Sequence, residues 1–196
     1  MKYCKKLVGR RVYLSPMNPE DVPVYTRWMN DPAVTDGLGG TPRLVSLDSE
    51  AEWVENAGKS GSQFAIVDLA TDTLLGNSGI ENLDLRSGTC EVGLFIGEAK
   101  HRGRGYGQEV LGLLTDFAFD TLRVHNVMLK LFSFNEPALA CYTKAGFKEF
   151  GRRHEAYFLH GRWYDEIFME MLETDRPGRV GQTGAFAPMK TGAKGV

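Results

Sequence analysis

The residues best placed to do chemistry run from His101 to Gln108, His-Arg-Gly-Arg-Gly-Tyr-Gly-Gln. Glycine lets a backbone turn without a Cβ clash, so several N–H groups of such a segment can converge on one anion. An apolar run, Val92-Gly-Leu-Phe-Ile96, precedes this stretch and a helical pattern follows it. Strand, glycine-rich turn and helix make a phosphate-binding layout, because the free N–H groups and positive end of the helix add to the attraction. Arg102 and Arg104 can add side-chain charge toward such an anion. Two familiar phosphate loops do not fit. Gly-x-Gly-x-x-Gly needs glycine where Gln108 stands, and no Gly-Lys-Ser/Thr follows Gly103 at P-loop spacing.

The other reactive side chains are scattered. Cys4, Cys90 and Cys141 contain no C-x-x-C pair, and His101, His125, His154 and His160 do not cluster with them. No metal is therefore expected, and Cys90 and Cys141 are expected to pack in the core or beside a ligand. The chain has 196 residues, 42% hydrophobic and 24% charged, enough for one domain with a full core. A net charge of −2 without a dense basic block argues against a nucleic-acid partner. No apolar run reaches membrane-spanning length, and Met1-Lys-Tyr-Cys-Lys-Lys-Leu7 lacks a signal-peptide core, so no membrane is expected and the cytoplasm is.

The elements that must position the loop follow from periodicity. Leu7–Leu14 alternates as a first strand. Asn18 and Pro19 start a helix with Val22, Tyr25, Trp28 and Met29 on one face, and Asn30-Asp-Pro32 ends it. Residues 35–47 predict a loop, and Asp48 or Ser49 caps a second helix with Trp53 and Val54 packed inward. Phe64–Asp68 and Thr73–Ile80 predict a hairpin, and Thr89–Ile96 the strand before the motif. Gly107–Leu122 is the clearest helix, followed by a strand at Val127–Phe132. A short helix spans Pro137–Ala145, stopped by Gly146, and a closing hairpin fills Glu149–Met171 around Gly161. Residues 1–174 make one domain. Residues 175–196 change composition and predict a glycine-rich basic tail.

Several motifs resemble one family. Arg102-Gly-Arg-Gly-Tyr-Gly107, as R-x-x-G-x-G, resembles the pyrophosphate-binding signature of the GNAT N-acetyltransferases. Arg11-Val-Tyr-Leu-Ser-Pro-Met17 and Trp28-Met-Asn-Asp-Pro32 resemble motifs of its ribosomal-protein N-terminal (RimJ/RimL-like) branch, with Ser15 where arginine is usual. Phe64-Ala-Ile66 with Leu75-Gly76 resembles the family's central hairpin. Asn135-Glu-Pro-Ala-Leu-Ala-Cys-Tyr-Thr-Lys-Ala-Gly-Phe147 resembles its N-x-x-A-x-x-x-Y-x-K-x-G-F segment, and Gly161-Arg-Trp-Tyr-Asp165 its closing G-x-x-x-D.

The resemblance implies an α/β (α+β) GNAT fold: a mixed, mostly antiparallel sheet of about seven strands flanked by about four helices, splayed into a cleft for acetyl-CoA. It implies acetyl transfer from acetyl-CoA to a primary amine by direct attack in a ternary complex. The acceptor is a protein N-terminal α-amine or a small-molecule amine, and the enzyme a monomer or homodimer. The alternative is a GNAT-fold CoA-binding sensor or structural protein without catalysis. The implied cofactor contacts are Arg102, Gly103, Arg104, Gly105, Tyr106, Gly107 and Gln108 around the phosphates, with Phe95, Ile96 and Asn135 along the pantetheine arm. Tyr142 takes the place of the family's general acid. Glu91, 14 residues before Gly105, is the candidate base. Trp28, Asn30 and Tyr157 are expected to line the acceptor pocket.

Overall fold

Alternating apolar residues build most of the strands of this protein, and the structure, a computed structural model, describes residues 2–176. The expected tail lies outside the described residues from position 177 onward. In chain order the elements are β1 (Leu7–Val8), β2 (Val12–Pro16), α1 (Val22–Met29), α2 (Pro32–Thr35), α3 (Leu47–Ser60), β3 (Gln63–Asp68), β4 (Leu74–Asp84) and β5 (Thr89–Ile96). There follow α4 (Tyr106–Phe117), β6 (Asn126–Phe132), α5 (Glu136–Ala145), β7 (Lys148–Leu159) and β8 (Arg162–Leu172). The described strands form one sheet of eight, in the order β1-β2-β3-β4-β5-β6-β8-β7. Every neighbouring pair is antiparallel except β5 and β6.

Period-two alternation sends the strand side chains to two cores. On one face Cys90, Val92, Val127, Leu129, Ile167 and Met169 pack with Val110 and Leu114 of α4. On the other face Tyr13, Ala65 and Val67 pack with Tyr25 and Trp28 of α1 and Val54 of α3. The sheet is thus covered by α4 on one side and by α1 and α3 on the other. No described helix is long and apolar enough to cross a membrane. Among the described residues no group of His, Cys, Asp or Glu is placed to hold a metal ion.

Several element boundaries differ from the periodicity. The strand expected over Leu7–Leu14 is two strands, with Leu7 paired to Leu14 and Val8 to Tyr13. The chain reverses at Gly9-Arg10-Arg11, where the N–H groups of Arg10 and Arg11 reach Glu109 Oε1 of α4 at 2.5 and 2.8 Å. A local pattern does not register a contact with a residue so distant in sequence, and the split gives eight strands in place of about seven. Asn30-Asp-Pro32 ends α1, but Asp31 then caps α2 by accepting from the Ala33 N–H at 2.9 Å. The loop expected over 35–47 therefore opens with helical turns. Ser46, not Asp48 or Ser49, caps α3, and Ser49 completes a capping box with it. Trp53, expected inward, is 41% exposed, and Val54 and Ala57 carry that buried face. The helix expected over Gly107–Leu122 is α-helical to Phe117 and closes in a π-helical turn over Ala118–Leu122.

Candidate active site

β5 and β6 pair in parallel at three positions only: Thr89 with Asn126, Cys90 with Val127 and Glu91 with Met128. Beyond Glu91 the strands part. β5 keeps its ladder with β4 as far as Ile96, and β6 keeps its ladder with β8 as far as Phe132. On the parted side, alternate N–H and C=O groups of Val92–Ile96 have no strand to bond. A cleft of about 770 Å³ fills the gap, lined by Glu91–Ile96, by the turn into α4, by Lys130–Phe132 and by α5.

The glycine-rich turn closes one end of this cleft. Gly103 and Gly105 have φ of +69° and +82°, a left-handed conformation costly for any other residue type. Gly105 is the N-cap of α4 and offers no side chain to the first turn. By contrast α3 carries its capping box and α5 is capped by Asn135. The first N–H groups of α4 are thus left for a ligand. Gly103, Gly105, Tyr106, Gly107 and Gln108 all line the cleft, as does His101, whose Nδ1 is buried without a partner among the described residues. This donor set fits the pyrophosphate of a coenzyme A molecule, and the strand edge of β5 fits its amide-bearing arm.

Tyr142 on α5 and Asn135 at its N-cap also line the cleft, with Cys141 beside Gly107 of the turn. Burial, with the Cys141 thiol alongside, pushes the Tyr142 hydroxyl up to about 12. A phenol so held is protonated at neutral pH and has a proton to offer a ligand. Asn135 Oδ1 accepts from the Ala138 N–H at 3.2 Å, capping α5 while still facing the cleft. Glu91 sits where β5 and β6 separate, directly across the ladder from Glu81, and both carboxylates line the cleft. Gln63 Nε2 donates to Glu81 Oε1 at 3.1 Å. Like charges directly opposite each other repel, which favours a cation between them.

Other expected site residues stand elsewhere. Arg102 lines the cleft, but its guanidinium is already used: Nε donates to Ile96 O, Nη1 to Ala33 O and Nη2 to Gly97 O, at 2.9, 2.8 and 2.7 Å. It staples the end of β5 to α2 in place of reaching a phosphate. Arg104 is exposed and does not line the cleft, and its carbonyl accepts from Arg11. Trp28 is 3% exposed, packed edge-on to Tyr25 and Phe95, with its Nε1–H on Glu98. It is a core anchor of α1, not a pocket residue. Asn30 Nδ2 donates to the carbonyls of Thr26 and Val45, tying the end of α1 to the next loop. Tyr157 stacks on Phe132 with centroids 4.0 Å apart, behind the cleft wall that Phe132 forms.

The sequence reading missed the supports of the loop. Glu109 is 7% exposed although it is a carboxylate on the first turn of α4. Tyr106 donates its hydroxyl to Asp68 Oδ2 at 3.1 Å, fastening the loop to the β3–β4 turn. The available signal was phase: Glu109 falls four residues before Leu113, on the apolar stripe of α4, and a buried acid there requires donors.

Comparison with known proteins agrees with this geometry. Residues 11–148 match the model of the acetyltransferase (GNAT) domain. The uncharacterized N-acetyltransferase p20 of Bacillus licheniformis is 24% identical, over 88% of this chain and 98% of that protein. An N-acetyltransferase 9-like protein of Caenorhabditis briggsae is 30% identical, over 73% of this chain and 77% of its own length. Among solved structures, the spermidine N-acetyltransferase of Vibrio cholerae in complex with CoA and spermine superposes with a TM-score of 0.76 at 22% identity, covering 84% of this chain and 97% of that one.

Proposed function

The chain belongs to the GNAT acetyltransferase family, and we propose that it transfers the acetyl group of acetyl-CoA directly to a primary amine held in the same cleft. One observation carries this reading: the uncapped, glycine-turned start of α4 and the unpaired edge of β5 open into one cavity, alongside Tyr142 and Glu91. Such a cavity can hold a pyrophosphate at one end and a thioester at the other.

Each residue then has a defined task. The N–H groups at the start of α4 hold the phosphates. The free N–H groups of β5 near Phe95 and Ile96 pair with the pantetheine arm and polarise the thioester carbonyl. Glu91 accepts the proton that the acceptor ammonium must lose, directly or through a water, since an amine near pKa 10.4 is mostly charged at neutral pH. The amine nitrogen bonds to the acetyl carbon, the C–S bond breaks with its electron pair going to sulfur, and the second N–H proton of the new amide passes to water or to the departing thiolate. Tyr142 donates a hydrogen bond to the departing sulfur. A hydroxyl at about 12 is a weaker acid than a thiol of about 8.5, so Tyr142 stabilises the thiolate without surrendering its proton.

The acceptor is a protein N-terminal α-amine or a small-molecule amine. The motifs Arg11–Met17 and Trp28–Pro32 support the first, in the manner of the ribosomal-protein N-terminal branch. The carboxylates Glu81 and Glu91 in the cleft suit either as a cation. The test is free-thiol release from acetyl-CoA with a panel of amines: peptides of varied N-termini, spermidine, an aminoglycoside and free amino acids. Amine-dependent release is expected, and silence across the panel with tight acetyl-CoA binding would sink the catalytic reading.

A further inference from the structure

Arg11 lies outside the cleft, yet it touches the back of the glycine-rich turn at several points. Its Nε donates to Glu109 Oε2 at 3.1 Å and its Nη1 to the carbonyl of Arg104 at 2.7 Å. Its guanidinium lies 5.2 Å from the centre of the Tyr106 ring. A Cβ built on Gly105 would stand 3.1 Å from its Nη2. Glu109 fixes the other end of the arrangement, with its Oε1 accepting from the N–H groups of Arg10 and Arg11 in the β1–β2 turn. Gly9 makes room, because a Cβ there would run into that oxygen.

Peptide planarity gives this contact a consequence. In a trans peptide the C=O and the following N–H point in opposite directions. Holding the Arg104 carbonyl toward Arg11 turns the Gly105 N–H away from Arg11, to the side on which Gly105 lines the cleft. The guanidinium also polarises that peptide, which strengthens its N–H as a donor. We propose that Arg11 is a positioning residue for the acetyl donor: acting through the Arg104–Gly105 peptide, it presets the loop's N–H groups for the pyrophosphate. The proposal rests on the acetyl-CoA reading above.

The planar fork is required, because one arm must reach the carboxylate while another reaches the carbonyl. A lysine ammonium keeps the charge and loses that geometry. The experiment compares acetyl-CoA with S-acetylpantetheine, a donor without the pyrophosphate, in the wild type, Arg11→Lys and Arg11→Met. Arg11→Lys should lower kcat/KM for acetyl-CoA about tenfold through KM, and Arg11→Met should lower it further. Both should leave S-acetylpantetheine unchanged. Arg10→Ala, which removes the neighbouring charge but keeps the N–H that Glu109 accepts, should leave the ratio of the two donors at the wild-type value. That ratio does not depend on the folded fraction, so partial unfolding does not mimic the effect. Equal losses with both donors, or no loss with acetyl-CoA, would overturn the proposal. If no variant, wild type included, transfers acetyl groups, calorimetry of CoA against pantetheine reads the same ratio, and a failed catalytic reading is told apart from a failed role for Arg11.

Discussion

At Tyr142 the direction of the pKa shift decides what the residue can do. Held up to about 12, its hydroxyl remains a donor throughout the working range. Tyr142→Phe should slow turnover by about tenfold to a hundredfold with donor affinity little changed. Because the hydroxyl does not ionise below its raised value, the ratio of wild-type to variant rates should stay constant from about pH 6 to about pH 9. A ratio that shrinks as pH rises through that window would show that the group ionises there. Glu91→Gln should cost most at low pH, where the ammonium most needs a base, and an even loss across pH would assign Glu91 to acceptor binding. At Gly105, φ of +82° strains any β-branched side chain, and a Cβ there would press on the Arg11 guanidinium. Gly105→Val should weaken acetyl-CoA binding more than about tenfold by calorimetry, and an unchanged affinity would remove the turn from the donor site.

Among the elements, α4 is the most tightly prepared. Its N-terminus is open to the cleft, while Glu109 one turn in binds it to the β1–β2 turn. Glu109→Ala leaves the part-buried N–H groups of Arg10 and Arg11 and the buried N–H of Val12 without this acceptor and should cost about 1–3 kcal/mol. A thermal melt within a degree of wild type would show that water replaces the carboxylate at no expense. These elements also show what a sequence discloses. The loop was legible because its glycines serve backbone geometry, which neighbours in the chain determine. Helix α5 was legible for the same reason, with Asn135 at its start and Gly146 in a left-handed stop at φ +105°. The division of Leu7–Leu14 into two strands was not legible, because Glu109 imposes it from across the fold. Nor was the position of Trp28: its spacing in α1 is right for the core and says nothing about which wall of the protein holds the acceptor. Arg102 illustrates the same gap, since a motif arginine reads as a phosphate ligand until its three carbonyl partners are seen.

At the scale of the whole molecule, the described body reaches as far as Arg176. That side chain donates to Asp116 Oδ1 at 2.5 Å and to Asp120 Oδ1 at 2.8 Å, with its cation 5.8 Å from the Phe119 ring. It thereby clasps the segment after β8 to the end of α4 and the π-helical turn that follows it. Arg176→Ala strands the buried Asp116 and should lower stability by about 2–4 kcal/mol. A chain cut after Asp175 should melt lower than one cut after Arg176, and equal melting temperatures would show that the clasp is idle. The sheet itself is joined across its middle by the three residue pairs between β5 and β6. A ligand lodged beyond them bridges the two halves and binds only the folded chain. At a hundredfold excess over its dissociation constant it adds about 2.7 kcal/mol. On the reading proposed above, acetyl-CoA or CoA lodged in that gap should slow proteolysis along the seam, and equal digestion with and without CoA would show that the two halves hold together unaided.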